Sequence, residues 1–530
     1  MKKQHRRWAM GLTATITLGL LAEAPTALAA TSPIASQQNL TSLGSLSTQV
    51  TGLPDSTFMQ QESAYQGSIT GQSGWRGFSH QTGRDITIQF PKPVDVQHIE
   101  ITALQNPQLG IYFPDYVQFE FQKNGQWYSA GKRTTALPQS GQSVSTQVFQ
   151  FNQSAGVEAD AVRLHIPVAI WVFVRGLKVS GSSTQVGQDP SKLTSIGGVT
   201  TDMGPLSPTA KNAHGIHNML LVETGAYGNQ GTWSANDFRP MVAYTDQSGQ
   251  MTSPMFDTML FLPYGTVGDT ESALTSYLND LFAPGQQLSA LDQAVATTNT
   301  ALNRPSYKEQ VVLTIPNFPY GTHDFGMVNG QELNFGGSTQ DPNASQARQA
   351  ALQWYINSLL TRWKTANFQH LQLVGLYWNE EQYHSANPGE RDYLNAGLKA
   401  AHDNGLPLFW IPFYGADQTS VWNDLGFDAA WIQPNFVEQG NAADEVRISN
   451  AMETANLDGM GIEVELTGLD AGNQDLYNTF LSKLDMEGFG RDQVTHAFYD
   501  GSKLLVTAAN STDPTQRAAY DNTAAFIQGK

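Results

Sequence analysis

The chain has 530 residues, with 29 lysines and arginines against 47 aspartates and glutamates, and a formal net charge of -18. This acidic balance excludes nucleic acid and anionic lipid as favoured partners, because both need clustered basic side chains to neutralise phosphate. The sequence has no cysteine, which excludes disulfides, a catalytic thiol and a thiolate metal site, and its length predicts two domains.

The first 30 residues have the order of a secretory signal peptide. Four basic side chains within the first seven residues precede an apolar run at 8–21, and small alanines follow at 27, 29 and 30. This order is typical of export signals, and the apolar run is too short to span a bilayer. We therefore expect residues 1–30 to direct secretion, without membrane insertion, to the extracellular space or the cell surface. An exposed N-terminal segment at 31–54 is expected to follow.

Short stretches that alternate polar and apolar residues fill positions 55–181. Examples are 85–90 and 117–121, and Asn124-Gly125 provides a typical hairpin turn after the second of them. Several short strands at this spacing predict an antiparallel β-sandwich.

The same region resembles the discoidin-like, galactose-binding-like sandwich modules. The resemblance is carried by residues 83–88 with 91–94, 110–114, 124–127, 162–166 and 171–174. Such modules commonly bind sugars through loops at one end of the sandwich, so the resemblance implies a carbohydrate ligand.

The second half of the chain has the pattern of an α/β barrel. A Ser-, Thr-, Gly- and Pro-rich stretch at 182–213 predicts a flexible linker before it. Eight nearly continuous apolar runs then alternate with helical patterns such as 345–363 and 390–404. The runs lie at 219–224, 256–262, 311–316, 371–378, 407–413, 429–434, 460–466 and 495–499. They predict a closed (β/α)8, TIM-like barrel over 214–530, with an open doubly wound sheet as the alternative.

Barrel enzymes place their chemistry at the C-terminal ends of the strands. Here those ends concentrate carboxylates, amides and aromatic rings, which suit a sugar site. The substrate-binding candidates are Glu223, Tyr227, Tyr377, Trp378, Asn379, Trp410, Tyr414, Gln433, Asn435, His496 and Tyr499. Packing in the barrel wall is the alternative role of Trp378 and Trp410. No phosphate-binding loop, HExxH motif or histidine cluster is present, so no metal or other cofactor is expected.

Two strand ends carry paired acidic side chains. Glycosidic cleavage uses two carboxyl groups, one as acid and one that attacks the sugar or activates water. Strand four ends in Glu380 and Glu381, and strand seven carries Glu463 and Glu465, which are two apart and so share a face. This arrangement resembles the retaining, clan-A type barrel glycosidases, whose acid/base glutamate follows strand four, often after Asn. The resemblance implies Glu380 as acid/base and Glu463 or Glu465 as nucleophile.

Residues 214–501 also resemble a bacterial family of exported proteins of unassigned function. The matching phrases lie at 260–262, 281–285, 374–378 with Glu381, 409–414, 426–435 and 459–465. In that family the acid follows Tyr-Trp after two intervening residues. The resemblance therefore implies Glu381 as the acid instead of Glu380.

Together these features predict a secreted carbohydrate-active protein that binds a polysaccharide or oligosaccharide. The leading hypothesis is a glycoside hydrolase of an extracellular or cell-wall polysaccharide, with Glu380, Glu381, Glu463 and Glu465 as catalytic candidates. One alternative is a non-catalytic polysaccharide-binding or cell-envelope protein, whose inward glutamates would pair with arginines. A metal-assisted deacetylase is a further alternative, although the strand ends lack a histidine set.

Overall fold

The computed structural model describes residues 38–135, 143–198, 202–225, 231–264, 268–337, 341–384, 387, 389–437, 445–501 and 503–530. The predicted signal peptide at 1–30 lies outside these residues. Within the described ranges, no helix is long and apolar enough to cross a membrane.

The N-terminal part of the chain is rich in antiparallel β-structure, as predicted. Its strands are β1 (Gln38–Asn39), β2 (Ser45–Val50), β3 (Arg76–Gln105), β4 (Tyr116–Lys123), β5 (Gln126–Thr134) and β6 (Ser145–Ser182). They form one six-stranded sheet in the order β2-β3-β6-β4-β5, with β1 paired to β6. Because β3 and β6 are long and irregular, Ile99 of β3 is flanked by both Val179 and Phe151 of β6. Apolar side chains of β3, β4 and β6 fill a core of their own.

Eight parallel strands form a closed barrel in chain order, as the apolar runs predict. They are β7 (Asn218–Thr224), β10 (Thr258–Pro263), β11 (Glu309–Ile315), β14 (Leu371–Trp378), β15 (Leu408–Trp410), β16 (Ala429–Ile432), β17 (Gly461–Glu465) and β18 (His496–Tyr499). The remaining strands form two hairpins, β8 (Ala243–Thr245) with β9 (Met251–Pro254), and β12 (Thr322–Val328) with β13 (Gln331–Phe335).

Helices cover the outside of the barrel, but not between every pair of strands. After α1 (Ser56–Gln61) near the N-terminus, they are α2 (Ala235–Val242), α3 (Glu271–Leu281), α4 (Gln287–Ala301), α5 (Pro342–Ala366), α6 (Glu390–Asp403), α7 (Val446–Asp458), α8 (Ala471–Met486), α9 (Leu504–Ala509) and α10 (Pro514–Gln528). The predicted helices at 345–363 and 390–404 correspond to α5 and α6. Between β15 and β16 the chain forms only a 3-10 turn at Thr419–Val421, so the complete (β/α)8 alternation is not observed.

Side chains of the barrel strands point alternately inward and towards the helices. Leu221 and Trp431 belong to the apolar cluster inside the barrel, whereas Leu220 and Ile432 belong to the cluster shared with the helices. Burial on both faces explains why the strands are nearly continuous in apolar residues. Gly461 leaves room for the indole of Trp431, which a Cβ at this position would overlap. Because apolar side chains fill the barrel interior, most of the polar side chains of the strands lie towards the strand ends.

The predicted exposed segment and the predicted linker both contribute backbone pairing to the fold. Within the predicted exposed segment 31–54, β1 and β2 pair with the sheet, which satisfies backbone groups that a free segment leaves to water. Within the predicted linker 182–213, the N–H of Ile196 bonds the N-terminal sheet and the backbone of Leu206 bonds residues just before β17 and β18. Leu206, Ala213 and Ile216 belong to the interior cluster of the barrel. Composition alone does not reveal these contacts.

Candidate functional site

The C-terminal ends of the barrel strands bring several of the predicted site residues to one end of the barrel, its mouth. Glu223 shares the inward face of β7 with Leu221, and Glu463 and Glu465 share the face that β17 turns towards Trp431. Residues 226–230, 265–267 and 438–444 lie outside the described residues, and the predicted site residue Tyr227 is among them.

Glu380 follows β14 and is held on several sides. Its carboxylate accepts a hydrogen bond from the side-chain amide of Asn317. The other carboxylate oxygen lies 3.3 Å from Nε2 of His384, and the indole N–H of Trp410 donates to the Glu380 carbonyl at 2.7 Å. The side chain is nevertheless 18% exposed. Glu380 therefore combines a fixed orientation with access from solvent.

His384 contacts Glu380 and also feels the charge of a buried ion pair nearby. Burial lowers the pKa of His384, but its bond to Glu380 and the charges of Glu380, Glu390 and Asp417 outweigh burial, so the pKa is raised above 6.5. Glu390 pairs with Arg348 at 3.2 Å, and both side chains are buried. Burial raises the pKa of Glu390 in spite of the neighbouring Arg348. An imidazole that can take up a proton therefore lies beside Glu380.

The two glutamates of β17 have different surroundings. The carboxylate of Glu465 accepts hydrogen bonds from the backbone N–H of Asn435 at 2.6 Å and of Val437 at 3.3 Å. Both residues are buried, with 1% of Glu465 and 4% of Glu463 exposed. Glu463 is paired in register with Ala497 of β18. Glu465 thus anchors the loop after β16 to β17.

The predicted amides hold this loop. Asn435 has a left-handed backbone conformation with φ of 50°, which Asn tolerates better than most residues. Its side-chain oxygen accepts from the N–H of Tyr414 at 2.8 Å, and its side-chain nitrogen donates to Gln433 Oε1 at 3.1 Å. Gln433 donates in turn to the carbonyl of Ile411 at 3.0 Å. These amides connect the ends of β15, β16 and β17.

A second acidic group joins the first and last strands. The hydroxyl of Tyr499 donates to Glu223 Oε1 at 3.1 Å. The adjacent, buried Asp500 accepts from the N–H of Leu505 at 2.8 Å through one oxygen, and its Oδ1 has no hydrogen-bond partner within the described part of the chain. Burial raises the pKa of Asp500 to about 7, against the bond from Leu505 and with the charge of Glu223 adding to it. Asp500 is absent from the predicted site residues, and its one signal in the sequence is its position directly after β18.

The two predicted tryptophans lie in the barrel wall. Trp378 packs against Tyr393 of α6 with ring centroids 5.1 Å apart. Trp410 stacks on Phe427 at 5.0 Å, and both tryptophans belong to the cluster between the barrel and its helices. These contacts correspond to the alternative role considered for them and leave neither ring facing the mouth.

Other candidates are dispersed. His496 is buried at the start of β18, the opposite end from the mouth, with Nε2 2.8 Å from the carbonyl of Phe489. Burial lowers its pKa to about 4, so the structure does not bring His496 into the site. Tyr377 is buried inside the barrel. Asn379 and Glu381 are half-buried beside Glu380.

No metal centre is built into the part of the chain that the structure describes. Groups of three or more His, Asp and Glu side chains placed to hold an ion are not found there. The expectation of a site without a metal therefore stays a prediction.

The barrel region corresponds to a family model. Residues 218–525 match the model described as "Domain of unknown function (DUF4855)". No curated protein matches the chain.

Similarity to solved structures is distant. The family 32 carbohydrate-binding module of C. perfringens NanJ, in complex with galactose, is 12% identical over 27% of this chain and 99% of that chain, with a TM-score of 0.19. Discoidin II of Dictyostelium discoideum is 9% identical over 28% of this chain and 60% of that chain, with a TM-score of 0.20. A Ruminococcus gnavus GH29 fucosidase in complex with fucose is 9% identical over 28% of this chain and 27% of that chain, with a TM-score of 0.19. At such TM-scores, the site has to be judged on its own residues.

Proposed function

This chain belongs to the DUF4855 family, and we propose that it is a secreted carbohydrate-active protein that hydrolyses glycosidic bonds at the mouth of its barrel. The observation that carries the proposal is the setting of Glu380 at the end of β14. Its carboxylate is partly exposed, is oriented by Asn317 and lies beside the ionisable His384. A carboxylate that must donate and then recover a proton needs this combination of fixed orientation and solvent access.

In the proposed reaction, Glu380 acts as acid and base and Glu463 as nucleophile. Protonated Glu380 gives its proton to the glycosidic oxygen while the Glu463 carboxylate bonds to the anomeric carbon, and the bond to the leaving alcohol breaks. Glu380 then takes a proton from water as the water oxygen displaces Glu463, which releases the sugar and restores both residues. The configuration at the anomeric carbon is retained.

Hydrogen bonds guide the choice of one glutamate at the end of β14 and one on β17. Both oxygens of Glu465 accept from backbone N–H groups of the loop after β16, so its attack on a sugar would release that loop. Glu380 has the amide and imidazole neighbours described above. Glu381 and Glu465 remain the alternatives that the experiment has to separate.

The proposed substrate class follows from the net charge of the chain. A net charge of -18 disfavours polyanionic glycans, so we propose a neutral or basic polysaccharide outside the cell. Export by residues 1–30 and sugar binding by the N-terminal sheet belong to the same proposal.

The test is hydrolysis of a panel of neutral and basic polysaccharides by the purified chain. Glu380→Gln should lower kcat by at least about 100-fold, because positioned acid–base groups contribute factors of about 100 to 10,000. Glu463→Gln should lower kcat at least as much, because it removes the group that forms the covalent intermediate. Glu381→Gln is the matched control for the first and should retain most activity. Azide should rescue Glu463→Ala, whose short side chain leaves room for the anion, by displacing the leaving alcohol in one step to give a glycosyl azide of inverted configuration.

Other results would change the proposal. Full activity of Glu463→Gln, with loss in Glu465→Gln, would transfer the nucleophile to Glu465. Binding of a polysaccharide without any cleavage would favour the non-catalytic alternative, in which the mouth holds sugar and breaks no bond.

A further inference from the structure

We propose that the N-terminal segment 53–58 positions the loop at the barrel mouth, through Asn450 and Tyr414 as positioning residues. The mouth loop is defined as residues 433–437, which connect β16 to the Glu465 anchor. The consequence for catalysis rests on the proposed function, whereas the positioning itself can be measured without any substrate.

The first link is between the N-terminal segment and α7. Asn450 is fully buried on α7. Its side-chain oxygen accepts from the N–H of Leu53 at 2.7 Å, and its side-chain nitrogen donates to the carbonyl of Leu53 at 2.9 Å. The same nitrogen lies 3.1 Å from the hydroxyl oxygen of Tyr414. Asn450 therefore joins the backbone of a distant segment to a ring near the mouth.

The ring of Tyr414 is also contacted by the N-terminal segment and by α7. Phe58 of α1 stacks on it with centroids 6.1 Å apart and an interplanar angle of 19°. The guanidinium of Arg447 lies 5.1 Å from the Tyr414 centroid and 3.3 Å from the Asp55 carboxylate, in an ion pair that is almost completely buried. The segment 53–58 thus supplies a hydrogen bond, a ring contact and a charge to one small region.

The second link runs from Tyr414 to the acidic strand. The N–H of Tyr414 donates to the side chain of Asn435 at 2.8 Å. The N–H of Asn435 donates to Glu465 at 2.6 Å, and the N–H of Val437 donates to the second oxygen. A continuous set of hydrogen bonds therefore leads from Leu53 to β17.

The mouth loop needs this support because it has little regular structure. After β16 ends at Ile432, residues 433–437 have no strand partner. Segments with few backbone hydrogen bonds open more easily than strands. When the link through Asn450 is removed, the loop is held by fewer contacts, and its two N–H groups should exchange faster with solvent.

The test compares two identical substitutions on α7 in the full chain. Asn450→Leu removes the bonds to Leu53 and Tyr414. Asn456→Leu, six positions along the same helix, removes only an exposed 3.2 Å bond to Asp202. Hydrogen exchange of the Asn435 and Val437 amides is measured under native conditions. We expect exchange at least about tenfold faster in Asn450→Leu, since tenfold corresponds to the net worth of about one hydrogen bond, and no change in Asn456→Leu.

A second variant keeps the test decisive if Asn450→Leu does not fold. Phe58→Leu retains an apolar side chain but removes the ring that stacks on Tyr414, and it should accelerate the same two amides while the amides of β11 stay protected. Unchanged exchange at Asn435 and Val437 in the folded variants would overturn the proposal.

The two proposals fail in different ways. If the parent chain cleaves no polysaccharide but Asn450→Leu accelerates exchange, the positioning role holds and the hydrolase proposal fails. If the parent chain cleaves and Asn450→Leu leaves both exchange and kcat unchanged, the positioning role fails. Where both hold, Asn450→Leu should lower kcat about tenfold or more with a smaller effect on KM, because the interaction is with the catalytic framework and not with bound sugar.

Discussion

Replacement of Glu465 by Gln isolates the role of the β17 anchor. The carboxylate accepts from two buried backbone N–H groups, those of Asn435 and Val437. Hydrogen bonds to a charged group contribute about 1.5–3 kcal/mol each, and a buried donor left without a partner costs about 1–3 kcal/mol. Gln keeps one oxygen but turns an amide nitrogen towards the second N–H. The free energy of unfolding should therefore fall by about 2–4 kcal/mol.

Urea denaturation at pH 7 measures this loss. The matched control is Glu332→Gln on the exposed β13 hairpin, the same chemical change, which should alter the free energy of unfolding by less than about 0.5 kcal/mol. If Glu465→Gln costs no more than Glu332→Gln, the two N–H contacts do not stabilise the loop and the assignment of Glu465 as its anchor is wrong.

Three further predictions concern buried charges. Because folding raises the pKa of Asp500 from 3.8 to about 7, its contribution is fully present below pH 3.8 and is lost as the pH rises through 7. Asp500→Asn should therefore gain stability relative to the parent over that range, by about 4 kcal/mol in urea titrations. Folding lowers the pKa of His496 from 6.5 to about 4, so its contribution is present above pH 6.5 and is lost as the pH falls to 4. His496→Gln should flatten this acid-side decline of about 3 kcal/mol in thermal or urea unfolding. Arg447→Met removes one side of a buried ion pair with Asp55 and should cost about 3–5 kcal/mol. The double variant with Asp55→Leu should recover part of that loss, and a loss equal to the sum of the single variants would contradict the pairing.

The barrel strands could be predicted because burial on both faces leaves a strong signal. The apolar run at 371–378 coincides with β14, and the other seven runs each contain or overlap a strand in the predicted order. The polar ends of these runs also identified Glu380, Glu463 and Glu465 as residues of the strand ends. Local composition was sufficient to predict the positions and the order of the eight barrel strands.

The division of roles among neighbouring residues was not predictable in the same way. Trp378 and Trp410 face the helices because of their positions along β14 and β15, and a shift by one residue would have turned them inward. Likewise, Glu463 and Glu465 are the same residue type on the same face of β17, and the bonds of Glu465 to the N–H groups of Asn435 and Val437 could not be predicted from the sequence. The contact of Leu53 with Asn450 joins positions 397 residues apart, so no local pattern could reveal it.

The segment that precedes the first barrel strand has a practical consequence. Leu206, Ala213 and Ile216 pack into the lower end of the barrel with Met219 and Ala497, and together they form its floor. The family match begins at residue 218, after this floor. A barrel fragment that starts at residue 218 would expose the apolar interior of the barrel to water and should aggregate. A fragment that starts at residue 202 would retain Leu206, Ala213 and Ile216, which cover that interior.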